Sequence, residues 1–250
     1  MTKAKVLGEK LVINGRTADV AGFEPDMSAD IYYEVVRMID RRLLFLSDHL
    51  DRLKHTLDQS GLSYPGHSGI RHQLSLLIRS NRFPSGNIRI CIQKKQNAEQ
   101  HLLCYFIPYF YPDPCSYKSG VQLVTYSHER PRPEIKKWDD RFRREVSQYI
   151  RDHGVYEAVL LDRHHQIREG SRSNIFFIDR ENSVVTAPEE EVLPGITRKY
   201  VLQICTELNV EVIQRSVRFG EIHLMSSCFI SGTSPKILPV RQLDGILFKV

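Results

Sequence analysis

The chain has 250 residues, enough to bury a substantial core as one large domain or two modest ones. Its 35 basic and 30 acidic residues are interspersed, which argues against a nucleic-acid-binding surface despite a net charge of +5. The five cysteines are widely spaced and include no CxxC pair, so we expect neither a disulfide framework nor a metal site. No signal-like start and no run of about 18 uncharged apolar residues occurs. We therefore expect a cytoplasmic protein that does not enter a membrane.

In chain order, the first half predicts a small α+β unit. A short strand at residues 10–13 ends in Asn14-Gly15, a pair typical of hairpin turns. Ser47 is the predicted N-cap of a helix that ends at Gly61. The apolar face of this helix carries Leu50, Leu53 and Leu57. A second helix is predicted over His67–Arg79.

Strands complete this first unit. Isoleucines at positions 88, 90 and 92 alternate with other residues, and this period of two predicts a strand. Further extended segments are predicted at residues 31–38 and 102–107, and the latter should pair with the isoleucine strand. Two prolines in the segment 127–135 disfavour regular structure there. We interpret it as the connection between a domain of residues 1–126 and a domain of residues 136–250.

The second half predicts another set of helices and strands. A helix whose apolar residues include Phe142 and Val146 should end near Gly154. Another helix should begin at about Thr197 and direct Val201, Ile204, Cys205 and Leu208 inward. The predicted strands lie at residues 157–161, 174–178, 184–186, 210–214 and 228–231.

Several short elements together suggest a cofactor pocket, although each alone is compatible with a surface loop or a helix end. In order they are HLDRL at 49–53, Ile135-Lys136, Tyr156-Glu157-Ala158, Glu169-Gly170, Asn174-Ile175-Phe176, LPGITR at 193–198, Ser231-Gly232-Thr233 and Pro239-Val240. As an ordered set they resemble the class IV (fold-type IV) pyridoxal-phosphate enzymes. This family includes branched-chain and D-amino acid aminotransferases and aminodeoxychorismate lyase. The resemblance is strongest over residues 156–240.

The resemblance implies an α+β fold with two domains, a small N-terminal α+β domain and a larger C-terminal domain with a mixed, barrel-like sheet. It implies pyridoxal 5′-phosphate as cofactor, a homodimer as the assembly, and an amino acid and a 2-oxo acid as substrates. The expected reaction is transamination between a small amino acid and a 2-oxo acid. Two alternatives stay open, namely an elimination of the aminodeoxychorismate lyase type and a homologue that binds cofactor without turnover.

The resemblance also implies roles for individual residues. A lysine in such enzymes bonds covalently to the cofactor aldehyde and later moves a proton. Lys136 matches this lysine by its spacing from Tyr156, and Lys137 remains an alternative. Glu169 matches the carboxylate that keeps the pyridine nitrogen protonated, so that the ring can accept electrons. Asn174 matches the family asparagine that orients contacts at the cofactor ring.

A phosphate site is implied as well. The Gly-Ile-Thr triplet falls where a helix should begin, and the amide groups and dipole of a helix start favour a dianion. An arginine of the first helix and a hydroxyl-bearing turn resemble the family's other phosphate contacts. The residues assigned to the phosphate are Arg52, Gly195, Ile196, Thr197, Thr233 and Ser234. Leu193 is expected to pack against the face of the ring.

Substrate recognition is assigned to two residues. Tyr33 takes the place of the family's aromatic residue before a glutamate, and Arg89 resembles an arginine near the substrate carboxylate in branched-chain aminotransferases. The chain departs from the family elsewhere. Residues 27–32 replace a glycine-rich element, and Arg141 stands in place of a tyrosine. These departures leave the substrate side chain and its L or D configuration open.

Overall fold

The structure is a computed structural model that describes residues 6–23, 26, 29–96 and 99–250. The chain divides into two compact units, unit 1 (Met1–Phe110 with Ile135–Trp138) and unit 2 (Tyr111–Glu134 with Asp139–Val250). The predicted boundary after residue 126 differs from this division. Strand β7 (Val121–Ser127) pairs with two strands of unit 2, and those long-range hydrogen bonds place it there. Positions 27 and 28 of the departing element 27–32 lie outside the described residues.

In its described residues, unit 1 contains a six-stranded antiparallel sheet with the order β2-β1-β6-β5-β3-β4. The strands are β1 Leu7–Ile13, β2 Arg16–Asp19, β3 Asp30–Ile39, β4 Arg42–Leu43, β5 Gly86–Lys94 and β6 Gln100–Ile107. Asn14 and Gly15 have φ angles of 47° and 81°, which a two-residue hairpin turn requires, so the predicted hairpin is confirmed. Strands β5 and β6 pair directly, as predicted.

Two helices cover one face of this sheet, α1 (Leu46–Gln59) and α2 (His67–Arg79). The residues in their shared core include Leu50, Leu53, Leu57, Ile70, Leu74 and Leu77 from the helices and Val36, Met38, Ile88, Ile90 and Ile92 from the sheet. Helix α2 has the predicted bounds. The Ser47 N-cap is wrong, because Leu46 packs against the core and the helix begins there, after Phe45 in a left-handed conformation (φ 51°). The Ser47 hydroxyl accepts a hydrogen bond from Arg71 instead.

The opposite face of the unit 1 sheet carries a second apolar cluster. Its buried members are Leu11, Ile31, Tyr33, Cys91, Leu103 and Tyr105, and Trp138 packs against them. The segment Ile135–Trp138 joins the edge of β3, where the Tyr33 amide donates to the Lys136 carbonyl (3.1 Å) and the Trp138 amide donates to the Ile31 carbonyl (2.8 Å). This pairing fixes the backbone of Lys136 beside β3.

The described part of unit 2 contains a ten-stranded mixed sheet with the order β12-β11-β10-β14-β15-β7-β8-β9-β13, and β16 pairs with β15. Its further strands are β8 Glu157–Leu161, β9 Gln166–Gly170, β10 Asn174–Ile178, β11 Val184–Thr186, β12 Val212–Gln214, β13 Val217–Arg218, β14 Ser227–Gly232, β15 Lys236–Leu243 and β16 Ile246–Leu247. The helices are α3 Pro114–Ser119, α4 Asp140–His153 and α5 Ile196–Glu207, with 3-10 turns at Glu189–Glu191 and Phe219–Leu224.

This sheet curls around one apolar interior. Val185 of β11 and Val217 of β13 come from near opposite ends of the strand order, yet both belong to the same buried cluster. Helices α4 and α5 pack outside it, over β7–β8 and over β10–β14 respectively. Ile204 and Leu208 are 46% and 68% exposed, so their predicted inward orientation is wrong. Only the stripe of α5 that includes Val201 and Cys205 faces the sheet. No helix in the described ranges combines the length and apolar character needed to span a bilayer.

Candidate active site

Unit 1 contains a buried charge cluster between β3 and α1. The Glu34 side chain is fully buried, and Arg52 binds both of its carboxylate oxygens, through Nε and Nη2 at 2.7 Å each. His49 Nδ1 lies 2.7 Å from Glu34 Oε2. Burial alone would raise the pKa of Glu34, but the charge and hydrogen bonds of Arg52, helped by His49, hold it well below its usual range. The predicted phosphate ligand Arg52 is therefore held in one orientation by a partner that is ionised at neutral pH.

The two candidate lysines have different surroundings. Lys137 Nζ lies 2.7 Å from Asp30 Oδ1 in a half-exposed ion pair. Lys136 Nζ lies 4.9 Å from the ring centroid of Tyr33, and Thr56 of α1 accepts a hydrogen bond from the Lys136 amide (3.4 Å). The backbone pairing with β3 sends neighbouring side chains to opposite sides, so the two amines are not interchangeable.

Arg89 lies with Tyr33 on the face of the sheet opposite the helices. Its guanidinium carbon is 4.5 Å from the ring centroid of Trp138 and 5.2 Å from that of Tyr33. Arg89 Nε is buried and has no hydrogen-bond partner among the residues that the structure describes. A buried guanidinium with an unused donor is suited to bind a carboxylate, because an unsatisfied buried N–H carries a desolvation cost.

In unit 2, Glu169 and Asn174 are joined by the backbone of Leu193. Glu169 lies on β9 and is only 3% exposed, and its Oε2 accepts a hydrogen bond from the Leu193 amide (3.1 Å). Asn174 begins β10, and its Nδ2 donates to the Leu193 carbonyl (2.9 Å). The predicted ring-contacting residue Leu193 is thus fixed through both of its backbone groups.

The start of α5 lies against Asn174. A Cβ on Gly195 would clash with Asn174 Oδ1, so glycine at this position lets the Asn174 side chain keep its orientation. Helix α5 begins at Ile196, and no side chain of the described residues caps it. Asn174 pairs with Ser231 across β10 and β14, which directs both side chains to the same face, and the buried Ser231 hydroxyl has no hydrogen-bond partner in the described ranges. These groups form a set of donors beside the first turn of α5.

Two turns flank this set. Thr233 and Ser234 lie in the turn between β14 and β15, and the adjoining Gly232 approaches the Arg172 carbonyl, with an ideal Cβ only 3.4 Å from that oxygen. The buried Glu157 carboxylate holds the turn from 171 to 173 by accepting hydrogen bonds from the Ser173 hydroxyl (2.9 Å) and the Arg172 amide. In unit 1, Tyr33 lies close to both Lys136 and Arg89, whereas Arg52 lies on the helix-covered side of the sheet with Glu34. The other predicted site residues belong to unit 2.

The sequence interpretation missed several polar residues of these clusters. They are His49, Arg130, Arg143, Glu157 and Ser231. Three of them lie inside the short elements that carry the family resemblance, whereas Arg143 lies in a predicted helix and Arg130 in the proline-containing connection. For His49, Glu157 and Ser231, their place inside those elements was the one sequence feature that could have identified them. The residues that each of the three contacts are distant in sequence.

Known proteins share both the sequence pattern and the fold. Residues 32–243 match the family Amino-transferase class IV. The D-alanine aminotransferase of Bacillus licheniformis is 25% identical over 254 residues, spanning 94% of this chain and 89% of that protein.

Solved structures with lower identity share the fold. A branched-chain amino acid aminotransferase from T.th., complexed with N-(5′-phosphopyridoxyl)-L-glutamate, superimposes with a TM-score of 0.85 at 17% identity, covering 98% of this chain and 88% of that one. The fold IV-transaminase from Curtobacterium pusillum gives a TM-score of 0.81 at 15% identity, covering 96% and 94%. The predicted fold-type IV α+β fold is confirmed. The chain therefore belongs to the class IV aminotransferase family and is an aminotransferase of this class.

Proposed function

We propose that the chain transfers an amino group between a small amino acid and a 2-oxo acid with pyridoxal 5′-phosphate as its cofactor. Family membership supports the reaction, and the phosphopyridoxyl ligand of the structurally similar branched-chain enzyme supports the cofactor. By the same resemblance we propose that the protein is cytoplasmic and forms a homodimer. Sedimentation of the purified protein tests the dimer directly.

The observation that carries the cofactor assignment is the donor set of unit 2. The uncapped start of α5 and the buried, unpartnered Ser231 hydroxyl, both among the described residues, suit a phosphate dianion. The buried Glu169 carboxylate suits a protonated ring nitrogen. These unit 2 residues therefore fit a phosphorylated pyridine, and the proposed phosphate contacts in this unit are completed by Gly195, Ile196, Thr197, Thr233 and Ser234. By the family resemblance alone we also assign Arg52 to the phosphate, as a cation whose orientation Glu34 fixes.

When bound, the cofactor supplies an aldehyde that takes up amines and a ring that accepts electrons. Lys136 would hold the cofactor through its side-chain amine and would carry the proton at the substrate α-carbon. Lys136 is preferred to Lys137 by the family resemblance, through its spacing from Tyr156. Leu193 and Asn174 orient the ring from the positions that their mutual hydrogen bond fixes.

Substrate binding is proposed for Arg89 and Tyr33. The buried Arg89 guanidinium would receive a carboxylate of the amino acid, and the ring of Tyr33 would form an apolar wall next to it. Neither residue selects the configuration at the α-carbon by itself. A screen of L- and D-amino acids is therefore part of the functional test.

The experiment compares Lys136→Ala with its matched neighbour Lys137→Ala. On addition of pyridoxal phosphate, we expect visible absorbance of the lysine-bound cofactor in the wild type and in Lys137→Ala, and none in Lys136→Ala. Wild-type protein that gains no visible absorbance would refute the cofactor assignment, and absorbance that depends on Lys137 would reassign the lysine. Product analysis separates the reactions, since pyruvate released without an oxo-acid acceptor indicates elimination rather than transamination.

A further inference from the structure

Arg130 contacts the buried Glu169 within unit 2. Its Nε lies 3.2 Å from Glu169 Oε1 in an ion pair that lacks hydrogen-bond geometry, and the two side chains are 18% and 4% exposed. The second carboxylate oxygen accepts from the Leu193 amide. We propose that Arg130 is a positioning residue that holds the Glu169 carboxylate in one orientation. The inference rests on the proposed function, in which Glu169 meets the ring nitrogen of the cofactor.

The same guanidinium also holds the backbone next to Glu169. Arg130 Nη2 donates to the Ser171 carbonyl (3.0 Å), and Arg143 Nη1 of α4 donates to the same oxygen (3.0 Å). Arg130 therefore connects the side chain of residue 169 with the main chain two residues later. A flexible lysine or a neutral amide could not reproduce both contacts, because only a guanidinium presents several donors in a fixed plane.

The charge of Arg130 matters because Glu169 is buried. A charge pair in a buried site is weakly screened by solvent, so it restrains the carboxylate strongly. A carboxylate that is free to turn away would offer a weaker partner to a protonated ring nitrogen. Loss of Arg130 should therefore weaken specifically the interaction with that nitrogen, and leave the contacts to the phosphate in place.

The test measures a ratio of affinities. We would determine dissociation constants for pyridoxal phosphate and for its analogue with carbon in place of the ring nitrogen. Arg130→Gln should reduce the preference for the nitrogen-containing cofactor about tenfold, because the charged contact that fixes the carboxylate is lost. Arg130→Lys should restore part of the preference. The matched control is Arg132→Gln, which breaks an exposed pair with Glu134 and should leave the ratio unchanged.

A second measurement needs no cofactor. In the apo protein, we would measure the unfolding equilibrium constants of Arg130→Gln, Glu169→Gln and the double variant. The fold-change in the double variant should be about tenfold smaller than the product of the two single fold-changes. Additive effects, or an affinity ratio unchanged in Arg130→Gln, would overturn the inference. Wild-type protein that binds neither cofactor would instead refute the proposed function, and the cycle would still decide whether Arg130 fixes Glu169.

Discussion

Replacing Glu34 with glutamine tests whether the buried charge cluster of unit 1 stabilises the fold. The substitution keeps the side-chain volume but removes the charge that pairs with Arg52, whose own side chain is only 8% exposed. Removing one partner of a buried ion pair costs about 3–5 kcal/mol, because the other charge stays desolvated. Glutamine retains one acceptor for Arg52, so we expect a loss of about 3 kcal/mol in the free energy of unfolding.

The assay uses the single tryptophan of the chain. Trp138 belongs to unit 1, so its fluorescence during urea unfolding reports on the unit that contains Glu34. Asp58→Asn is the matched control on α1, because it breaks an exposed ion pair with Lys54. Such a pair contributes about 0.5 kcal/mol or less. Equal losses in Glu34→Gln and Asp58→Asn would refute the reasoning.

The same substitution has a defined pH signature. The folded-state pKa of Glu34 lies below its ordinary value of 4.5, so its contribution is complete above that pH and is lost as the pH falls further. Below this value the wild type should lose up to about 1.4 kcal/mol per pH unit through this carboxyl. Glu34→Gln should lack that component, and an unchanged acid slope would contradict the assignment.

Three further substitutions test the remaining contacts. Gly195→Ala places a methyl group against Asn174, and we expect at least roughly tenfold weaker cofactor binding by absorbance titration. Gly220→Ala is the control, because a Cβ at Gly220 meets no described atom within 4 Å apart from its chain neighbours. Equal cofactor affinities of the two variants would contradict the steric argument. Arg89→Met should raise KM for the amino acid roughly 100-fold in steady-state kinetics, since a charged hydrogen bond contributes about 1.5–3 kcal/mol. An unchanged KM would exclude Arg89 as a ligand of the substrate carboxylate. Glu157→Gln should lower the unfolding free energy of unit 2 by about 1–3 kcal/mol, because it weakens the hydrogen bonds that hold the turn at 171–173. Thermal denaturation followed by circular dichroism measures this loss. A variant as stable as the wild type would show that this turn needs no carboxylate.

Local pattern was sufficient for elements whose own residues decide their conformation. Helix α2 has the predicted bounds, and the hairpin at Asn14-Gly15 follows from a residue pair that tolerates positive φ. The alternating isoleucines of β5 revealed a strand because a period of two matches a sheet with a buried face. Ser47 shows the limit, since packing of Leu46 set the start of α1 against the capping preference.

The sequence by itself determined the family, because an ordered set of short elements survives where overall identity is low. It also identified Lys136, Glu169 and the start of α5 as candidate cofactor contacts. Tertiary structure decided which partners surround them. The ion pair of Lys137 with Asp30 and that of Arg130 with Glu169 join residues that no short pattern connects. The physical reason is that burial makes charge and hydrogen bonding depend on every neighbour in space, whereas periodicity and spacing report only on neighbours along the chain.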